Sequence, residues 1–393
     1  MAQIASTEQR PRFRLRLTDL FWIGGILALL IGATGMLDRL RFGLAPAAIG
    51  SYVPWGLWVG FYDYLVWLEV GSLLLFSGLV YLADDHSLAK IKPLVLFTGF
   101  VVLLMALILV AMDLGHFERF WHVFVYADFG SMITWMVWLH TAYLILLTVE
   151  LVLALRGKGK GLLKALGIVS LPLGLMLILV SGSIFGVVAA RPLWNTSNLP
   201  LMFFISALAA GASLLLLLVC LFWADKQSDE FARLTRRLSR IAGWLTLGGA
   251  FIAGVIAFTI LYQGGGNPQR AAALQLILSG PFWWSFWIVH ILLGVIVPAV
   301  IYFLFYKNRL LLTLGAALST ITFVAVTLNI VIPVLATPEL EGLAEAFQHQ
   351  KLSLDYVPNL NEWLVVTFVF GFGALLYGLG LRFLPVLPKR TQE

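Results

Sequence analysis

The sequence predicts an all-α membrane protein of ten transmembrane helices, and three observations carry that prediction. Ten stretches are apolar for long enough to cross a bilayer: residues 20–36, 55–82, 94–112, 132–155, 165–190, 199–222, 241–262, 282–305, 310–335 and 363–381. The hydrocarbon core is about 30 Å thick and a helix rises about 1.5 Å per residue, so roughly 20 apolar residues suffice. Hydrophobic residues make up 61% of the chain and charged residues 12%, which leaves too little polar surface for a water-soluble fold. The apolar runs are also continuous, whereas the strands of a membrane barrel would alternate. Finally, the charges sort by side. The N-terminus, the even-numbered connections and the C-terminus hold twenty of the 26 Lys and Arg. Cytoplasmic segments collect positive residues, so both termini are expected in the cytoplasm.

Arg10, Arg12, Arg14 and Arg16 precede the first span, which is long enough to cross and is closed by no small-residue cleavage site. It is therefore expected to remain as a helix rather than act as a cleaved signal. Two further basic clusters, Arg156/Lys158/Lys160/Lys164 and Arg233/Arg236/Arg237/Arg240, account for most of the net charge of +6. They read as topology determinants beside anionic lipid head groups, not as a nucleic-acid surface. The inner connections are expected to be short basic turns. The outer face should carry small helices in the connection 115–130, in 270–278 and in 338–350, where Glu339, Glu341 and Glu345 fall. Ten tryptophans sit near that outer boundary, Trp55, Trp58, Trp121, Trp194 and Trp363 among them, against Trp22, Trp223 and Trp244 at the inner one. An interfacial belt would be more even, so the excess suggests a platform or pocket at the outer face. Gly71, Gly78, Gly174, Gly182, Gly186 and Gly211 lie inside spans and allow close helix contact.

Cysteine and histidine usage limits the redox chemistry. Cys220 is the single cysteine, so the chain forms no internal disulfide and no four-thiolate iron–sulfur cluster. Only His140 and His290 fall inside spans, which allows at most one bis-histidine haem. Ionisable groups within spans are costly, and each is a functional candidate. Tyr62 and Asp63 lie about a third of the way down the second span, with Glu69 near its midplane. Asp113 ends the third span and leads to His116, Arg119 and His122. Trp135, His140 and Tyr143 occupy the outer half of the fourth span, and Glu150 approaches its inner end. Ser181 and Ser183 precede Arg191 at the end of the fifth. Tyr62, Asp63, Asp113, His116, Arg119, Trp135 and His140 thus share a depth on neighbouring helices. Together they supply what a quinone head requires: hydrogen-bond partners for two oxygens, a proton acceptor and aromatic walls. Glu69, His140 and Glu150 extend ionisable groups inward as a proton path would. The structural alternative is a set of loop-ordering ion pairs, Asp113 with Arg119 for example.

Four ordered motifs carry a family resemblance: Pro54-Trp-Gly-Leu-Trp-Val-Gly-Phe-Tyr-Asp63, Asp113-Leu-Gly-His-Phe-Glu-Arg-Phe-Trp121, Ser131-Met-Ile-Thr-Trp-Met-Val-Trp138, and Ala190-Arg-Pro-Leu-Trp-Asn195 followed by Leu199-Pro-Leu-Met-Phe-Phe. Together they resemble the NrfD/PsrC family of membrane subunits of polysulfide reductase and related complexes. Ten spans and the lead-in Arg41-Phe-Gly-Leu44 look more like its hydrogenase-type or sulfite-reduction-type branch. The resemblance implies two consecutive four-helix bundles, spans 2–5 and 6–9, with helices 1 and 10 flanking them. The corresponding units are residues 1–54, 55–190 with the site, 191–335 and 336–393. It further implies a quinone, menaquinone or ubiquinone, as bound substrate near the outer face of the first bundle. It implies an extrinsic ferredoxin-like iron–sulfur partner on that face, no haem, cluster or metal in the chain itself, and a bacterial or archaeal cytoplasmic membrane. Some members place a histidine on the first bundle helix where this chain offers Tyr62 or Asp63, and His140 stands where tyrosine is common. The proton acceptor is open among these three. A secondary transporter would show inverted, interrupted spans, which are not apparent; a haem protein would use His140 and His290.

Overall fold

Ten helices long and apolar enough to cross a membrane run through the computed structural model, which describes residues 17–262, 268–340, 342–346 and 349–388. They are α1 (Leu17–Phe42), α2 (Leu57–Ser77, continued by a π-helical turn over Gly78–Leu82), α3 (Lys92–Asp113), α4 (Met132–Arg156) and α5 (Lys160–Gly186). Then follow α6 (Asn198–Phe222), α7 (Asp229–Tyr262), α8 (π-helical over Ser285–Ile296, then α-helical over Val297–Leu304), α9 (Arg309–Leu335) and α10 (Leu360–Phe383). No strand occurs among the described residues. This is the all-α, ten-span fold the sequence predicts. Arg10, Arg12, Arg14, Arg16 and Glu341 lie outside the described residues.

Helices are what such sequences must form in hydrocarbon, because only a closed backbone ladder leaves no amide exposed to lipid. Polar side chains inside the spans turn back onto that ladder: Thr98 donates to the Leu94 carbonyl, Thr141 to Val137 and Thr320 to Ala316. Gly157, at φ +63°, ends α4 in the left-handed conformation that closes a helix. In α8 the wide π turns immediately precede Pro298, whose ring removes an amide and crowds the carbonyl one turn back.

Helix α2 is the centre of the molecule. It is apolar all round and buried on every face, as expected of an interior helix. It packs against α3 and α5 on one side and against α6 and α9 on the other, and α4 completes the first group through α3 and α5. Helices α6, α7, α8 and α9 pack among themselves as a second group. This packing is consistent with consecutive bundles of spans 2–5 and 6–9. Helices α1 and α10 form a long antiparallel pair laid on α3, held at Gly25, Gly32 and Gly35, where an added Cβ would strike the α10 backbone or Leu364.

Two expectations need correction. Arg233, Arg236, Arg237 and Arg240 do not form a turn before a span starting at 241; α7 begins at Asp229 and carries them all. Its first turns are amphipathic, with Phe231, Leu234 and Leu238 buried while Arg237 bonds Asp85 at 2.7 Å and Arg236 stacks over Tyr306. The stretch 338–350 is not one helix either. Its described part holds a single turn, Leu343–Ala346, and a 3-10 turn begins at Gln350.

Candidate functional site at the loop-rich end

The end of the molecule where α1 finishes and α10 begins carries the longer connections, and one stitched layer there positions α2. Glu362, fully buried, accepts from the Tyr356 hydroxyl at 2.6 Å and from the Ala48 and Asn359 amides at 3.1 Å. With Asn359 it forms a capping box that starts α10. Tyr356 in turn accepts from the Leu57 amide at 2.8 Å and so caps α2, which Gly56 permits because any side chain there would occupy the phenol's place. Burial, and then the Glu362 carboxylate, hold the Tyr356 phenol well above its ordinary pKa, so it stays a donor. Arg191 gathers the Val334, Thr337 and Tyr52 carbonyls and pairs with Glu339 at 3.0 Å. Trp194 donates to the Ile330 carbonyl and stacks on Trp55, with ring centroids 6.0 Å apart. Part of the tryptophan excess is therefore an interior aromatic stack, while Trp121, Trp138, Trp283, Trp284 and Trp287 are exposed as a belt would be.

Beneath this layer, α2 presents Tyr62 and Asp63 to α4 and α5. Asp63 is 2% exposed and its Oδ1 accepts from Ser181 at 3.3 Å, while Oδ2 has no partner. The Tyr62 ring lies 5.9 Å from the His140 imidazole, tilted by 38°. His140 is 3% exposed; its Nδ1 bonds the Met136 carbonyl at 2.9 Å, and its Nε2 is unpartnered. A carbonyl only accepts, so that bond puts the imidazole hydrogen on Nδ1 and leaves Nε2 with a lone pair. The arrangement is a dry pocket wall with a free carboxyl oxygen, a free imidazole nitrogen and a phenol in one place. Below it, Glu69 is wholly buried and neither carboxyl oxygen has a partner. Tyr143, with an unpartnered hydroxyl, lies within electrostatic reach of both Glu69 and Glu150. Glu150 lies in turn within reach of Lys92, whose ammonium sits 4.8 Å over the Tyr81 ring. Tyr62, Glu69, Tyr143, Glu150 and Lys92 thus follow one another toward the basic end.

The structure brings together only part of the predicted cluster. His116 and Arg119 are exposed in the connection after α3, where His116 bonds Glu118 at 2.9 Å and Arg119 lies 3.8 Å from the same carboxylate. The backbone amide and His116 hold the Glu118 carboxyl below its usual value. Trp135 is 38% exposed and donates to the Phe129 carbonyl. Asp113 does not pair with Arg119. The cation in its neighbourhood is Arg39 of α1, which is 2% exposed and donates to the Met112 and Leu114 carbonyls at 2.6 and 2.5 Å. Arg39 was not anticipated, because its role depends on α1 packing beside the end of α3. Lys92 was likewise missed, and Ser181 acquires its partner only through the α2–α5 contact. His140 and His290 lie in different helix groups, against Tyr62 and Phe286 respectively, and do not converge as a haem pair would require.

The sequence profile of the polysulphide reductase NrfD family matches residues 48–339. The chain belongs to that family. Among NrfD-related proteins it is 30% identical to a component of the selenate reductase of Mesobacillus selenatarsenatis, over 92% of this chain and 93% of that protein. It is 23% identical to the Hdr-like menaquinol oxidoreductase integral membrane subunit of Archaeoglobus fulgidus, over 88% of each. It is 24% identical to the menaquinone reductase integral membrane subunit of Nitratidesulfovibrio vulgaris, over 90% of this chain and 88% of that one. The NrfD match begins just ahead of α2 and ends after α9, so it covers both helix groups and leaves out most of the α1–α10 pair.

Proposed function

We propose that this chain is the quinone-reactive membrane subunit of a multisubunit redox complex, with its chemistry at Tyr62, Asp63 and His140. The relatives named as menaquinol oxidoreductase and menaquinone reductase membrane subunits support the substrate class. The observation that carries the choice of site is the pair of buried, unpartnered acid–base atoms, Asp63 Oδ2 and His140 Nε2, beside the Tyr62 phenol. A quinol supplies two electrons and two protons on oxidation, and its two oxygens each need a hydrogen-bond partner. Ser181 fixes the Asp63 carboxyl through Oδ1, which leaves Oδ2 to take or return a proton. Met136 fixes the imidazole through Nδ1, which leaves Nε2 to do the same at the second oxygen. Tyr62 donates from between them. Hydrogen bonds to these groups are stronger here than in water because the surroundings are apolar.

With one cysteine, Cys220, the chain exchanges electrons with a cluster held elsewhere, in an extrinsic ferredoxin-like iron–sulfur subunit on the loop-rich face. By the charge rule that face is the outer one, and the termini are cytoplasmic. Residues 55–190 form the reactive unit and 191–335 a second one. Glu69, His140 and Glu150, joined by Tyr143, carry protons between the site and the basic end. The test is Asp63→Asn in the assembled complex: quinol turnover should fall at least about tenfold, the lower range for losing a positioned proton acceptor. Wild-type turnover in an intact complex would remove Asp63 from the site.

A further inference from the structure

The second helix group encloses a cavity of about 300 Å³ between α6, α7, α8 and α9. Its origin lies in α7, which is buried against its neighbours from Phe231 to Thr246 and has no buried residue beyond Thr246. The lining there is small, with Gly249, Ala250, Ala253 and Gly254, so little fills the space that α7 leaves as it diverges. Phe251 and Phe258, on the other side of the same stretch, are 72% and 67% exposed. The wall follows α7 from Thr246 to Ile260, about 21 Å at 1.5 Å per residue. That is a slot of chain length, opening toward the bilayer.

Three polar side chains interrupt its apolar walls: Thr246 from α7, His290 from the π-helical part of α8, and Asn329 from α9. They are 2%, 9% and 6% exposed. Each presents an atom without a partner: Thr246 Oγ1, His290 Nδ1 and Asn329 Nδ2. The asparagine nitrogen is a donor only, and the threonine hydroxyl donates or accepts. Leaving one such group buried and unsatisfied costs about 1–3 kcal/mol, so three facing one cavity call for an acceptor within it. A π-helical segment often marks a functional position, and here it carries the histidine.

We propose that this cavity binds a lipophilic molecule whose carbonyl oxygen accepts from Asn329 and Thr246 while its chain lies along α7. Both a prenylated quinone and an acyl-ester lipid present that chemistry. The site lies on α6–α9, apart from Tyr62, Asp63 and His140 on α2 and α4, and it stands whether or not quinone reacts at those residues.

Photolabelling of the purified complex in nanodiscs tests the proposal with three diazirine probes: a prenylated naphthoquinone, a diacyl phosphatidylglycerol and a plain alkane. Gly249→Leu fills the slot with little strain, since a Cβ at Gly249 meets only Ile205 at 3.8 Å. Asn329→Leu removes the donor. One carbonyl probe should label the α7 or α8 stretches that line the cavity, at least about fivefold less in each variant. Capture of the naphthoquinone identifies a quinone as the source, and capture of the ester lipid identifies a phospholipid. Labelling of these stretches by neither carbonyl probe, equal labelling by the alkane, or labelling unchanged in Gly249→Leu overturns the proposal. Should either variant fail to assemble, Thr246→Val provides the same reading of the donor set.

Discussion

Asp63 and Glu69 share one helix and near-total burial, yet their surroundings differ. Asp63 receives a hydroxyl and keeps one oxygen free, whereas Glu69 receives nothing. A carboxyl inside a span costs about 3 kcal/mol even on the lower scales, so a packing role alone gives little reason for one at Glu69. Glu69→Gln keeps the side chain's volume and removes only its capacity to gain and lose a proton. In proteoliposomes that variant should abolish the pH gradient formed during turnover while uncoupled quinol turnover stays within about twofold, the gradient depending on proton transfer rather than on substrate chemistry. An unchanged gradient would exclude Glu69 from the path. Depth in the sequence was enough to find Tyr62, Asp63, Glu69, His140 and Glu150, all buried in the first helix group. It misjudged Trp135, His116 and Arg119, because depth gives height along a helix and says nothing of azimuth. Trp135 faces out while its neighbour Met136 faces in, and His116 and Arg119 lie beyond the last turn of α3 altogether. Asn329 and Thr246 drew no attention in the sequence, because a single amide or hydroxyl in a span usually bonds its own backbone.

Among the elements, the crossing of α2 and α6 matters most. At Gly71 an added Cβ would run into the Ala207 carbonyl, and at Gly211 into the Gly71 carbonyl carbon and the Ser72 amide, so the two backbones touch directly. Gly71→Ala has no flexible side chain to push aside and should destabilise by about 3 kcal/mol or more, at the top of the range for overpacking. Gly78→Ala is the matched control, since its Cβ meets nothing within 4 Å. Yield and thermal stability of the membrane subunit should fall for the first variant and not for the second; equal behaviour would mean the crossing can relax. The sequence marked both glycines as places of close approach but could not say which were in contact, because a helix surface offers several candidate partners. Element existence was legible throughout, since uninterrupted apolar runs leave the chain no alternative to helix. Boundaries were less so: Arg233 to Arg240 look like a loop by hydropathy, but they continue α7 with their apolar neighbours facing inward.

At the scale of the whole molecule, the loop-rich face carries the surface suited to a partner. The connection between α3 and α4 exposes Phe120, Val125, Tyr126 and Phe129, four large apolar side chains in one short segment. Exposed apolar patches of this kind are found where another protein or the lipid surface is met. A photo-crosslinker at Tyr126 should capture the iron–sulfur subunit in the assembled complex; capture of that subunit only from the basic loops, near Lys158 or Arg240, would reverse the orientation. The antiparallel α1–α10 pair lies over α3, away from α4. The backbone contact at Gly71 and Gly211 bears on how such a machine can move. Transporters that alternate access rock one helix group against another, and the surfaces that slide are made of side chains able to exchange rotamers. Here the joint is main chain against main chain, on the same helix that holds Tyr62, Asp63 and Glu69. It behaves as a weld rather than a bearing, so any work done across the membrane has to be carried by small charges hopping through a nearly stationary frame.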